Sequence, residues 1–188
     1  MSSRLPQLVP EHLNDAQRAL YDRLVESFVP WADQSGFEVT APDGSLRGPL
    51  NPVLFSPALG AAQVEVFRAD RTSTSLSPRV HEVVILTVGA AWGSDYELYA
   101  HTAVGKQAGL SDGVVEALVA GKPPDFHNDQ EAVAHELTRQ LVGRHRITAD
   151  TYARAEQAFG HKGLVDIVIL VGLYLATCAL VNAFEEDT

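Results

Sequence analysis

The chain has 188 residues, 46% of them hydrophobic, enough to bury a substantial core within the size of one domain. Acids outnumber bases 24 to 14, and the net charge of -10 argues against the clustered Lys and Arg that binding to nucleic acid requires. With Cys178 as the only cysteine, no disulfide within the chain and no CxxC redox or zinc pattern is possible.

The N-terminal MSSRLPQLVPEHLNDAQ lacks the apolar run of a secretory signal, so the expected location is cytoplasmic. Asn14 to Val29 is predicted as the first helix. Asn14 caps it, Ala16, Leu20, Leu24 and Phe28 recur at helical spacing, and Pro30 stops it. From Pro30 to Pro57 glycines and prolines abound, which predicts a long ordered loop. A second helix is expected from Pro57 to about Ala69. The third starts at Ser77-Pro78 and is apolar nearly all round, which implies burial at the centre.

The fourth helix opens at Ser94, with Glu97 completing a capping-box pattern, and closes at Gly109. Ser111 begins a fifth that ends at Gly121. Asn128 with Glu131 starts a sixth reaching about Val142, Thr148 a seventh ending near Gly160, and Leu164 to Phe184 forms the last. Asp166, Thr177 and Asn182 leave that last stretch short of the roughly 20 continuous apolar residues a bilayer demands, so it is expected as a buried helix of a core or subunit interface, not a membrane span. No period-two alternation bounded by hairpin turns is present, and the expected fold class is all-α, with seven or eight helices.

Glu97 and His101, four residues apart, share one helix face with Cβ atoms roughly 5–6 Å apart. A carboxylate beside an imidazole is a usable acid/base pair. The spacing alone equally suits a capping glutamate and a satisfied core histidine. Glu82 is the one acid among the valines and leucines of the third helix, where a carboxylate is costly unless paired, and where burial would raise its pKa. The histidines at 81, 101, 127, 135, 145 and 161 form no HExxH or similar cluster, so no metal site is expected.

Taken together, Glu82 through Val88, Trp92, Asp95-Tyr96-Glu97, His101, Ala108-Gly109-Leu110-Ser111 and Leu118 with Gly121 resemble the core motif of the carboxymuconolactone decarboxylase superfamily. That superfamily also contains the AhpD-type alkylhydroperoxidases. Gly48-Pro49 with Asn51 and Pro57 is similar to its upstream loop, and Gly163 to Tyr174 with Asn182 to its terminal helix. The resemblance covers residues 47–184, leaving 1–46 as an N-terminal helix and loop extension of a single domain.

It implies an AhpD-like helical fold assembling as a homo-oligomer, trimer or hexamer, with Glu82 and His101 at the family's acid and histidine positions. The peroxidase branch carries two catalytic cysteines where this chain has Ser94 and Glu97. Peroxide reduction requires thiols, so the resemblance narrows to the cysteine-free branch and a cofactor-free decarboxylase of a small lactone acid. In that reading His101 donates the proton, Glu97 orients it, and Glu82 assists by hydrogen bonding or as a second acid. Arg47 would hold the substrate carboxylate, Trp92 and Tyr96 would wall the ring, and Asn51 would add a polar group from the loop. Two other readings stand beside it: an isomerase or dehydratase of another small ring using the same pair, and a non-catalytic oligomeric helical binding protein.

Overall fold

A computed structural model describes residues 4–184. Among them every regular element is helical, and the only extended pairing is an isolated antiparallel bridge between Thr40 and Leu46. The contacts gather into two compact units, one made of residues up to Thr72 together with those from Thr177, the other of Ser73–Ala176.

In the first unit a short 3-10 turn, Pro10–His12, precedes α1, Asp15–Ser35. The Asn14 side chain accepts from the Gln17 amide and Gln17 returns the bond, a capping box that satisfies two free donors at the helix start. Pro30 does not stop α1, contrary to the sequence-based expectation. The proline removes one donor, yet Phe28 and Ala32 on either side of it are both buried, and Gly36 in the left-handed region ends the helix.

Within the expected loop lies a short α2, Leu50–Val53, and α3 follows, Pro57–Ser73, four residues longer than anticipated. Leu20, Leu24, Phe28 and Ala32 line the buried stripe of α1. At Gly60 of α3 an added Cβ would meet Leu20 Cδ2 at 2.6 Å and the Val53 carbonyl oxygen at 3.0 Å, so glycine is what permits this approach.

The second unit is built around α4, Pro78–Trp92, which Ser77 caps by accepting from the Val80 amide. Val80, Val83, Val84, Ile85, Leu86 and Val88 are all essentially inaccessible. Burial of each such side chain contributes roughly 1.5–3 kcal/mol, which is why this helix occupies the centre. It packs against α5, Asp95–Gln107, α6, Asp112–Val119, and α7, Asp129–Arg144. Val83 and Leu86 meet Leu110, Val114, Val115 and Leu118 in one cluster.

The last helix, α8, Ala149–Phe184, merges the expected seventh and eighth helices across a break at Gly160 (φ 62°, ψ 179°), a conformation that only glycine adopts readily. By length and composition α8 could cross a membrane, and 44% of its most apolar window is buried within the protein. Asp166 on α8 accepts from the Ser75 amide and hydroxyl, each at 2.8 Å, and from Lys162 Nζ at 2.7 Å.

Candidate active site

At two glycines α4 and α5 run close together. A Cβ at Gly89 would stand 3.7 Å from Glu97 Cβ and 3.2 Å from Leu98 Cδ2, and one at Gly105 would stand 3.3 Å from Leu110 Cδ1 and 3.8 Å from Glu82 Cβ. This close packing carries Glu82, in the second turn of α4, against His101, in the second turn of α5.

Glu82 Oε2 lies 2.7 Å from His101 Nδ1. On the opposite side of the ring, Tyr174 Oη of α8 lies 3.1 Å from Nε2, its ring edge-on to the imidazole at 86°. Glu97 Oε2 lies 3.6 Å from the same nitrogen. His81 Nδ1 reaches the other Glu82 oxygen at 3.4 Å. All four members, Glu82, Glu97, His101 and Tyr174, are buried, and all lie within the second unit.

The carboxyl of Glu82 responds to opposing forces. Burial pushes it up, but the charge and hydrogen bond of His101, with those of His81, outweigh burial and hold it below the ordinary carboxylate range. This reverses the direction expected from sequence, because the expectation counted burial without the imidazole 2.7 Å away. Glu82 is therefore the anion of the pair. A carboxylate can only accept, so Nδ1 donates to it, and the ring is left with Nε2 as its exchanging nitrogen. Of the two carboxylates, Glu82 rather than Glu97 stands at hydrogen-bond distance from the ring.

Trp92 ends α4 partly exposed, and Tyr96 is buried on α5 with its ring 6.2 Å from that of Tyr99. Arg47 and Asn51 belong to the first unit. Arg47 pairs with Glu38 at 3.1 Å, both exposed, and buried Asn51 accepts from the Leu8 amide and donates to the Pro6 carbonyl, pinning the N-terminal segment.

Ser94 is fully buried directly before α5, yet its hydroxyl caps nothing and has no hydrogen-bond partner among the described residues. Sequence reasoning passed over Tyr174, whose signal was a phenol inside an apolar helix. Buried phenols need a partner, and that requirement points to a polar group nearby.

The arrangement is an anion, an imidazole and a phenol in series, with a second carboxylate beside the imidazole. In a site shielded from water such interactions are stronger than at the surface, and a proton can be held on or passed from Nε2.

No curated protein matches the chain. Among solved structures, an AhpD-core, uncharacterized peroxidase-related protein from Ralstonia eutropha JMP134 superposes with a TM-score of 0.75 at 16% identity, covering 98% of this chain and 90% of that one. A protein of unknown function from Agrobacterium tumefaciens, a putative antioxidant defence protein AhpD, gives 0.66 at 15% identity over 75% of this chain and 97% of that one. A variant of the debrominase Bmp8 in complex with 2,3,4-tribromopyrrole gives 0.70 at 14% identity, over 97% and 91%. At these identities the likeness concerns the fold, which is AhpD-like. The family model of the Carboxymuconolactone decarboxylase family matches residues 57–139. That matched stretch contains Glu82, Glu97 and His101.

Proposed function

We propose that the chain is a cofactor-free decarboxylase of a small lactone or cyclic carboxylic acid, working by proton transfer, as a cytoplasmic homo-oligomer. The observation that carries this reading is the buried 2.7 Å hydrogen bond from His101 Nδ1 to an anionic Glu82, which commits one ring nitrogen and leaves the other for chemistry. The family match supports the reaction class, and the ring-shaped ligand of the debrominase neighbour supports a small ring as substrate.

As the bond to the carboxylate breaks, carbon dioxide leaves and the electron pair passes into the unsaturated lactone as an enolate. The developing negative charge favours a nearby imidazolium, and one proton must then reach carbon. His101, held by Glu82, is the proton reservoir, and Glu97 Oε2 lies 3.6 Å from its Nε2. Thiol peroxidation does not fit the chain, since that reaction needs an attacking and a resolving thiol and Cys178 is the one cysteine in the sequence. The ring is only 3% exposed, so substrate entry requires surrounding side chains to move aside.

The test is release of carbon dioxide from carboxymuconolactone by metal-free protein in deuterated water, with one deuterium entering the product. His101→Gln and Glu82→Gln should each lower turnover by about 10²-fold or more. Unchanged turnover in both, with folding intact, would overturn the catalytic reading. Deuterium exchange into the acid without carbon dioxide release would move the reaction to isomerisation.

A further inference from the structure

We infer that the Ser94 hydroxyl is the site's hydrogen-bond donor to the substrate, holding a neutral carbonyl oxygen of a lactone or ketone at the start of α5. The inference deepens the decarboxylase reading above and takes from it the identity of the ring acid. Ser94 is fully inaccessible, and its hydroxyl has no hydrogen-bond partner among the described residues. A hydroxyl withdrawn from water without a partner is costly, and an oxygen acceptor brought in by a ligand removes that cost.

The backbone of Ser94 is held on both sides. Gly93, at φ 59°, ends α4, and the Ser94 amide donates back to the Gly89 carbonyl at 3.0 Å. The Ser94 carbonyl accepts from the Leu98 amide at 3.0 Å as α5 begins. The side chain does not cap the helix that it precedes. It is therefore a donor whose position is fixed before a ligand arrives, at the positive end of the α5 peptide dipoles, and such preorganisation makes a donor effective.

Spacing puts this hydroxyl on the face that carries the chemistry. Residues 94, 97 and 101 fall at i, i+3 and i+7, so they share one face of α5, and all three are buried. Helical side chains lean toward the N-terminus, which shortens the roughly 10 Å of axial rise between Ser94 and His101. Gly89 of α4 adjoins both Ser94 and Glu97: it accepts from the Ser94 amide, and a Cβ built on it would stand 3.7 Å from Glu97 Cβ.

The acceptor is a carbonyl rather than a carboxylate. The first turn of α5 carries two acidic residues, exposed Asp95 and buried Glu97, which repel a full anion at Ser94. A hydroxyl has one proton to donate, which suits a single carbonyl oxygen. In the proposed reaction that oxygen gains charge as the enolate forms, so the hydrogen bond strengthens as the bond to the carboxylate breaks.

Ser94→Ala removes the hydroxyl alone, and the probe is but-2-en-4-olide, an unsaturated lactone without a carboxylate. Its Kd, measured by NMR titration, should rise about tenfold in the variant, while thermal stability does not fall. The infrared carbonyl stretch of the bound, ¹³C-labelled lactone should lie at higher frequency in the variant, because the hydrogen bond that weakens the C=O bond is gone. An unchanged Kd with an unmoved stretch overturns the inference, and so does a wild type that fails to bind the lactone at millimolar concentration. Should the variant fail to fold, the wild-type spectrum decides: a bound stretch at the frequency of the lactone in hexane overturns the inference.

With carboxymuconolactone, Ser94→Ala should lower kcat/KM by about tenfold or more, and a value within about threefold of wild type overturns the role of Ser94 in the reaction. If wild type releases no carbon dioxide from that acid, the decarboxylase reading fails, and the lactone affinity and carbonyl stretch alone decide Ser94.

Discussion

Ser94 and Glu97 have the spacing of a capping box, yet the Ser94 side chain makes no cap. The Ser94 hydroxyl caps no amide and the Glu97 carboxylate lies beside His101 Nε2, where attraction to a charged imidazole in a dry site exceeds what an exposed cap offers. Ser94 consequently buries a hydroxyl with no partner, an arrangement that costs roughly 1–3 kcal/mol relative to water. Ser94→Ala removes that hydroxyl and breaks no hydrogen bond, so calorimetry should find the variant as stable as wild type or up to about 1 kcal/mol more stable. A loss of more than about 1 kcal/mol would show that the hydroxyl has a partner. The site was legible wherever its residues are close in sequence: Glu97 and His101 through helical spacing, Glu82 through its apolar surroundings. Tyr174 lies 73 positions from His101 and no local pattern links them. The division of roles was hidden for a related reason, since helix spacing brings Glu97 near His101 while the packing of α4 on α5 decides which carboxylate meets the ring.

At the scale of elements, the capping residues were the most legible features, because a cap is made within four residues. Asn14, Ser77, Ser111 and Asn128 each accept from an amide of the turn that follows. Helix ends set by tertiary packing were not legible, as Pro30 and the continuation of α3 to Ser73 show. The α8 segment supplies an element-scale test. Burial pushes the Asp166 carboxyl up, but the hydrogen bonds from Lys162 and Ser75 outweigh it and hold it below the usual range. A depressed carboxyl stabilises the fold fully above its unfolded pKa of about 3.9, and that contribution is lost as pH falls through the lower folded value. Its side chain is 17% exposed while Lys162 is largely solvated, so the Ser75 bonds carry most of the effect. Asp166→Asn should therefore cost about 1–3 kcal/mol at neutral pH, with the gap to wild type narrowing below about pH 4. Denaturant titrations of both proteins across that range check it; a gap of constant size would assign the loss to packing rather than to charge.

For the whole chain, helical spacing and the lack of period-two alternation anticipated an all-helical protein, while the gathering of residues from Thr177 with those before Thr72 depends on contacts between distant segments that no spacing reveals. The same limit applies to assembly, where the sequence offered only an apolar terminal helix. On α8, Val165 and Ile169 are each 52% exposed, and Val168 between them is also exposed, a run at helical spacing left open to water. Burying such a face against a second copy would release about 25 cal/mol for each Å² of apolar surface removed from water. The net charge of -10 opposes this at long range, since two like-charged copies repel and the repulsion is screened over about 10 Å at 0.1 M salt. Self-association through this face should consequently strengthen as salt is raised, the opposite of an assembly held by ion pairs. Sedimentation equilibrium at micromolar concentration should find an oligomer in wild type, and Val168→Glu with Ile169→Lys should yield a monomer whose helical circular dichroism is unchanged. A wild type that sediments as a monomer at every salt concentration would leave this face without a second copy, and an oligomer indifferent to both substitutions would place the contact on another surface.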